Sequence, residues 1–297
     1  MAAPASYDRA KAIKEFDESK MGVKGLSESG ITSIPKFFIH APDTISDLKS
    51  SSRSSHAAIP VIDLSRLSSI ADDRPKLVKQ VQEAARNWGF FQVVNHGVPV
   101  SALDETTNAI RGFHEQPHEA KAKHYNRDGG WGVMFVSNNH LYRTEAASWH
   151  DSFQVWMALQ LPVPGEYQRF AGERCSHRTS TRRRWPIREL TFSDARSLGR
   201  HCYPYCPQPD LTLGITSHTD PVIITVLLTN RVPGLRVKHK DGWIDVDPVP
   251  GGLIINIGDL LQIVSNGEYK RVQHRVLQSE QVEAFEPIWA SARAGIP

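Results

Sequence analysis

The sequence predicts a mainly β protein with flanking helices, its strands closing into a β-sandwich or small barrel. Three observations carry this. From about residue 200, short apolar runs alternate with turn signals, as in "PGLRVKHKDGWIDVDPVPGGLIINIGD". The run "PVIITVLL" after Asp220 is β-branched and apolar, as a buried strand requires. Helical spacing, by contrast, is confined to the first half of the chain.

Taken in order, residues 1–58 read as an extension and linker. A charged, helix-prone start gives way to the Ser-rich connector "SDLKSSSRSSH". "IPVIDLS", Ile59 to Ser65, is a short strand. "DDRPKLVKQVQEAARNWG" is a helix. Asp72 or Asp73 caps it, and Pro75 suits its first turn. Leu77, Val81, Ala84, Ala85 and Trp88 share one face, and Gly89 ends it. "FFQVVNHG" is the next strand, and a second helical stretch covers roughly 101–124.

Farther on, Leu235 and Val237 alternate with Arg236 and Lys238. Asp241-Gly242 reads as a type I′ hairpin turn, with Trp243, Ile244 and Val246 on the return. Leu253–Ile257 is a third strand. Residues 166–198 have no sustained period of 2 or 3.6. Eight arginines lie between Arg174 and Arg200, which fits either a nucleic-acid patch or a solvated insert. So polar a composition favours the insert.

The bulk numbers exclude several classes. With 40% hydrophobic and 23% charged residues, the chain is an ordinary globular sequence. A net charge of +3 gives no reason to expect a nucleic-acid or acidic-membrane partner. Three cysteines, Cys175, Cys202 and Cys206, are too few for a disulfide framework and suggest a reducing compartment. Cys202 and Cys206 have zinc half-site spacing but no second pair. The N-terminus has no apolar signal region, and no stretch reaches membrane-spanning length. A cytoplasmic location is expected.

Two metal motifs compete. "HEQPH", His114 to His118, fits the H-E-x-x-H pattern of zinc proteases. Pro117 argues against it, because it breaks the helix that would align the two imidazoles. The expected alternative is an exposed histidine pair at a helix start. The second motif is His218-x-Asp220, just before the apolar strand. Side chains at i and i+2 of a strand share a face, so both reach one ion. His274 in "EYKRVQHRVL" is the candidate third ligand. Two His and one carboxylate leave open positions, the arrangement of non-haem Fe(II) oxygenases.

At these residues the sequence resembles the plant 2-oxoglutarate- and Fe(II)-dependent dioxygenases, and among them the homologues of aminocyclopropane carboxylate oxidase. "IPVIDLS", "NWGFFQVVNHGV" and "FHEQPHEAKAKHY" resemble the family's N-terminal region. "HCYPYCPQPDLTLGITSHTDP" resembles its Tyr-Pro-x-Cys-Pro stretch and metal strand, and the text from Val232 to Leu277 follows its pattern. The resemblance implies an N-terminal dioxygenase region over 59–165 and a double-stranded β-helix, or jelly roll, over 199–278, with flanking helices. It implies Fe(II) held by His218, Asp220 and His274, with no other catalytic group. It makes Tyr203 a hydrogen-bond donor to the co-substrate 2-oxoglutarate, with ascorbate a candidate reductant. A small specialised metabolite would be hydroxylated or oxidised with O2, giving succinate and CO2. Phe135 aligns with a position lining the substrate pocket in relatives; its other reading is a core aromatic.

Two departures stand out. Residues 166–198 lack the family's apolar helical stripe. The tail, 279–297, lacks the expected apolar strand, so the jelly roll should be incomplete at its C-terminus. The family's Arg-x-Ser pair, which anchors the far carboxylate of 2-oxoglutarate, is replaced by Ala284 and Glu286. A carboxylate there repels what a guanidinium would bind in parallel hydrogen bonds. The alternative expectation is therefore an impaired metal-binding relative, one that could act by pairing with an intact homologue.

Overall fold

The computed structural model describes residues 7–49, 58–68, 73–127, 132–157, 196–229, 232–240, 242–278 and 284–291. The arginine-rich segment up to residue 195 lies outside them. Three helices open the chain: α1 (Arg9–Ser19), α2 (Gly22–Glu28) and α3 (Pro42–Lys49). Asp8 caps α1, its carboxylate accepting from the Lys11 backbone N–H at 3.0 Å. Strand β1 (Val61–Asp63) leads through α4 (Asp73–Asn87) to β2 (Phe90–Val94), and the two strands pair in parallel. The buried residues Leu77, Ala84 and Ala85 pack α4 onto Phe91 and Val93, as the apolar stripe predicts.

The second helical stretch is divided. Helix α5 (Val100–His114) ends before Pro117, and α6 (His118–Ala122) begins after it. The two histidines of "HEQPH" therefore sit on different helices. His118 is exposed, but His114 is fully buried, contrary to the expected exposed pair. It closes the inner face of α5 beside Phe113 and Phe135.

The strands that follow are β3 (Gly132–Ser137), β4 (Asp151–Met157), β5 (Arg196–Tyr203), β6 (Ile215–His218), β7 (Ile224–Leu227), β8 (Leu235–His239), β9 (Gly242–Asp245) and β10 (Leu253–Ile257). A short helix α7 (Asp259–Val264) precedes β11 (His274–Val276) and β12 (Ala284–Ser291). Eight strands form one sheet in the order β1-β2-β10-β7-β12-β5-β4-β3. Four form the other, β6-β11-β8-β9. Phe90, Leu227 and Ile254 of the first meet Leu235, Val237 and Val276 of the second in a shared core. These two sheets are the walls of the jelly roll.

Two expectations are corrected here. The hairpin between β8 and β9 pairs His239 with Gly242, so Gly242 belongs to β9 rather than to the turn as read. That register sets Val237 against Ile244. Lys240 takes the left-handed conformation at φ 52°, while Asp241 lies outside the described residues. The tail also supplies a strand after all. β12 runs antiparallel between β5 and β7, matching Ala284 to Tyr203 and Ile288 to Leu227. Two open strand edges offer a full set of backbone partners, which outweighs the weak apolar pattern and Pro287.

The N-terminal helices are docked onto this body. Ile13, Val23, Phe37 and Phe38 pack with Leu141, Ala147 and Trp149. Asp151 at the start of β4 is buried and accepts from the N–H groups of Val23 at 2.7 Å and Lys24 at 2.9 Å. Gly22, at φ +70°, is required there, because a Cβ would lie 2.7 Å from the Asp151 carboxylate. Trp149 is fully buried, edge-on to Phe38 at 4.9 Å, and its indole donates to the Tyr205 carbonyl at 3.3 Å. Trp149→Ala should cost about 3–5 kcal/mol, read as a lower urea midpoint. An unchanged midpoint would mean that the N-terminal helices do not depend on this ring.

Candidate metal centre

The antiparallel pair β6–β11 sets His218 directly opposite His274. Asp220 lies just past the end of β6 rather than on it, yet its carboxylate turns back to both imidazoles. Asp220 Oδ1 is 3.5 Å from His218 Nε2 and 3.5 Å from His274 Nε2. All three ligand atoms lie within 4.8 Å of one another. The three residues singled out from the sequence are thus brought together, on strands contributed by segments more than fifty residues apart.

The donor set fits a metal ion. His218 Nδ1 faces the Thr216 carbonyl at 2.9 Å, and His274 Nδ1 faces the Val272 carbonyl at 3.2 Å. A carbonyl only accepts, so each Nδ1 carries a proton, and Nε2 is the ring atom that each histidine turns toward Asp220 and would offer to a metal. Burial alone would push the Asp220 carboxyl up. The hydrogen bonds and charges of His218 and His274 outweigh it and hold the group well below the usual carboxylate range. It is therefore an anionic ligand at neutral pH.

The other Asp220 oxygen is also engaged. Thr225 of β7 donates its hydroxyl to Oδ2 at 2.5 Å, and Asn256 of β10 donates its amide at 2.7 Å. Sequence reasoning missed both. The signal was there: each is the lone polar residue within an apolar strand, in "IITVLL" and "LIINI", and each is buried.

The three ligands open onto a cavity of about 540 Å³ between the two sheets. Tyr203 lines it, buried beside the rings of His150 at 6.0 Å and His201 at 6.1 Å. Gly214 lets this ring approach, since a Cβ there would meet it at 2.9 Å. His150 Nδ1 donates to the Gly214 carbonyl at 2.7 Å, and Ser152 Oγ lies 3.0 Å from His201 Nδ1. Burial lowers the His150 pKa to about 4 and holds His201 well below its ordinary value. Both are neutral wall groups next to the ligands. Phe135 is placed elsewhere. It is fully buried against Phe113 at 5.4 Å and paired with Phe153, which lines the cavity, while Phe135 itself is not among the lining residues. Cys202 and Cys206 are likewise separated, in different core clusters.

Comparison with known proteins agrees with this geometry. Residues 193–284 match the 2OG-Fe(II) oxygenase superfamily, and residues 59–175 match the N-terminal region named for the non-haem dioxygenase in morphine synthesis. The chain is 43% identical to 1-aminocyclopropane-1-carboxylate oxidase homolog 4 of Arabidopsis thaliana, over 94% of this chain and 82% of the relative. It is 38% identical to the homolog of Solanum lycopersicum, over 92% and 80%. Among solved structures, JOX2 in complex with 2OG, Fe and JA superposes with a TM-score of 0.66 at 27% identity, over 91% of this chain and 82% of that one. The auxin-oxidising dioxygenase of Arabidopsis thaliana shares the fold, with a TM-score of 0.58 at 21% identity over 80% and 94%. With the likeness spanning both halves of the chain and the triad set at its centre, the protein belongs to the 2-oxoglutarate- and Fe(II)-dependent oxygenase superfamily, whose metal is Fe(II) and whose co-substrate is 2-oxoglutarate.

Proposed function

We propose that the protein oxidises a small organic metabolite with O2 and 2-oxoglutarate, releasing succinate and CO2. His218, Asp220 and His274 hold the iron, and the single observation that carries this is their convergence on one point at the cavity wall. Bound there, Fe(II) supplies the O2 chemistry. The chain does the rest. The two Nδ1–carbonyl contacts fix the imidazoles in the ligating tautomer. The Tyr203 hydroxyl serves as a hydrogen-bond donor to 2-oxoglutarate. His150 and His201 stay neutral and so leave the co-substrate's charge to other groups. The apolar walls from Phe90, Leu227 and Leu235 exclude water from the reacting atoms. Among the described residues no helix is long and apolar enough to cross a membrane, and we place the protein in the cytoplasm.

A second reading is favoured by one observation. The two positions that should carry Arg-x-Ser hold Ala284 and Glu286, and β12 sets them opposite Tyr203 and His201. On this reading the protein binds iron but holds 2-oxoglutarate weakly, and acts as an impaired relative. Anaerobic Fe(II) titration separates the two. The wild type should bind iron and, with 2-oxoglutarate, develop the visible charge-transfer band of the chelate. Asp220→Ala and His274→Ala should each abolish iron binding. Iron bound without a band at millimolar 2-oxoglutarate selects the impaired relative. Iron bound equally by the Ala variants removes the metal centre altogether.

A further inference from the structure

Thr225 and Asn256 are direct partners across the β7–β10 pair, so both present to the same face. Their donors converge on one atom, Asp220 Oδ2, at 2.5 and 2.7 Å. Neither placement is explained by packing. Each puts a polar group, 4% and 2% exposed, in the middle of an apolar strand. A buried polar group without a partner costs about 1–3 kcal/mol, so each is tolerated because the carboxylate answers it. The amide orientation is fixed by the same logic. A carboxylate only accepts, so Asn256 must turn its NH2 toward it. The backbone is pinned as well: the Asp259 N–H donates to the Asp220 carbonyl at 2.8 Å. The carboxylate therefore cannot rotate to present both oxygens to the histidines. Oδ1 faces both Nε2 atoms at 3.5 Å, and Oδ2 is held away.

We infer that Thr225 and Asn256 are positioning residues that restrict Asp220 to one-oxygen ligation. The inference rests on the metal centre proposed above. Its consequence is a count of positions. Three protein atoms around a six-coordinate ion leave three sites, enough for a two-point chelating co-substrate and O2 together. A carboxylate gripping with both oxygens would leave two, and the chelate would fill them. The clamp thus keeps a site for O2 through hydrogen bonds that touch neither the metal nor the substrate.

The test uses the full chain, freed of metal, with Co(II) as the anaerobic probe. Thr225→Val keeps the shape of the side chain and removes the donor. Asn256→Asp keeps the shape and turns a donor into an acceptor. Each should weaken Co(II) binding by about 10–100-fold, the usual effect of losing a group that orients a ligand. Thr225→Ser retains the hydroxyl and should stay within about threefold of the wild type on the same scale. A second readout addresses the count directly. In the wild type, Fe(II) should take oxalate and nitric oxide together, giving the EPR signal of an iron nitrosyl. In Thr225→Val and Asn256→Asp, oxalate should suppress that signal. Variants that are folded by circular dichroism, bind Co(II) as tightly as the wild type and keep the nitrosyl signal would overturn the inference. If one variant does not fold, the other carries the same test at the same oxygen. Failure of the wild type itself to bind Co(II) or Fe(II) would instead remove the metal centre, and the clamp with it.

Discussion

Replacing Ala284 by Arg together with Glu286 by Ser is expected to tighten 2-oxoglutarate binding by roughly ten- to a hundredfold. A charge-assisted hydrogen bond to a carboxylate is worth about 1.5–3 kcal/mol, and each 1.4 kcal/mol is a factor of ten. The register of β12 makes this a local repair. Ala284 pairs with Tyr203 and Glu286 with His201, and both partners line the cavity. The double variant removes an acidic residue and adds a planar donor fork in one step. The measurement is the apparent Kd for 2-oxoglutarate from the anaerobic charge-transfer band, followed by succinate formation. An unchanged Kd would show that the far carboxylate is not bound beside β12. Single variants separate the contributions, since Glu286→Ser tests the repulsion alone.

A second large effect concerns acid. The metal-free protein should lose several kcal/mol of stability as pH falls from about 6.5 to 4. His150 is buried and His114 fully so, and burial is the main cause of their lowered pKa values, about 4 and about 3. Beside His114 the cations Lys121, Lys24 and Arg200 add to it. His201 shifts in the same direction for the same reason. In each case the folded state binds the proton less well than the unfolded chain. The contribution is intact above pH 6.5, the ordinary histidine value, and is lost as pH falls toward the folded-state value. At about 1.4 kcal/mol per unit, His150 alone accounts for about 3 kcal/mol. Asp151 acts in the opposite sense, because burial raises its pKa and the folded state then favours its proton. Urea midpoints measured at pH 7, 6 and 5 should fall in that order, and His150→Gln should flatten the slope. Midpoints that do not vary over this range would contradict the burial of these rings.

Much of the site was legible because its parts are local in sequence. His218 and Asp220 are two residues apart, and His274 opens a β-like run, so spacing alone nominated all three. Pro117 spoke against the rival motif before any coordinates, and the helix does break there. Other parts depend on pairing that spacing does not reveal. Thr225 and Asn256 are separated by thirty positions, and only the β7–β10 register makes them neighbours. Their polarity within apolar strands marked them, but not the atom they meet. Phe135 reads from the sequence as either a pocket-lining or a core aromatic, and spacing alone does not choose between them. Phe135 shares a sheet face with Phe153, which lines the cavity, but packs under Phe113 without being among the lining residues itself. β12 was hidden for a different reason. Its hydrogen-bonding comes from the strands on either side, and its own residues carry little of the strand signal.

The position of β12 has a consequence for how the chain is made. It is an interior strand of the eight-stranded sheet, yet it is supplied by residues 284–291, after every other strand of both sheets. During synthesis β5 and β7 must wait with bare edges until that segment leaves the ribosome. Such edges pair readily with foreign strands. Truncation upstream of residue 284 should therefore leave a nascent product that aggregates rather than a smaller folded one, and chaperone engagement should persist until the final strand is in place.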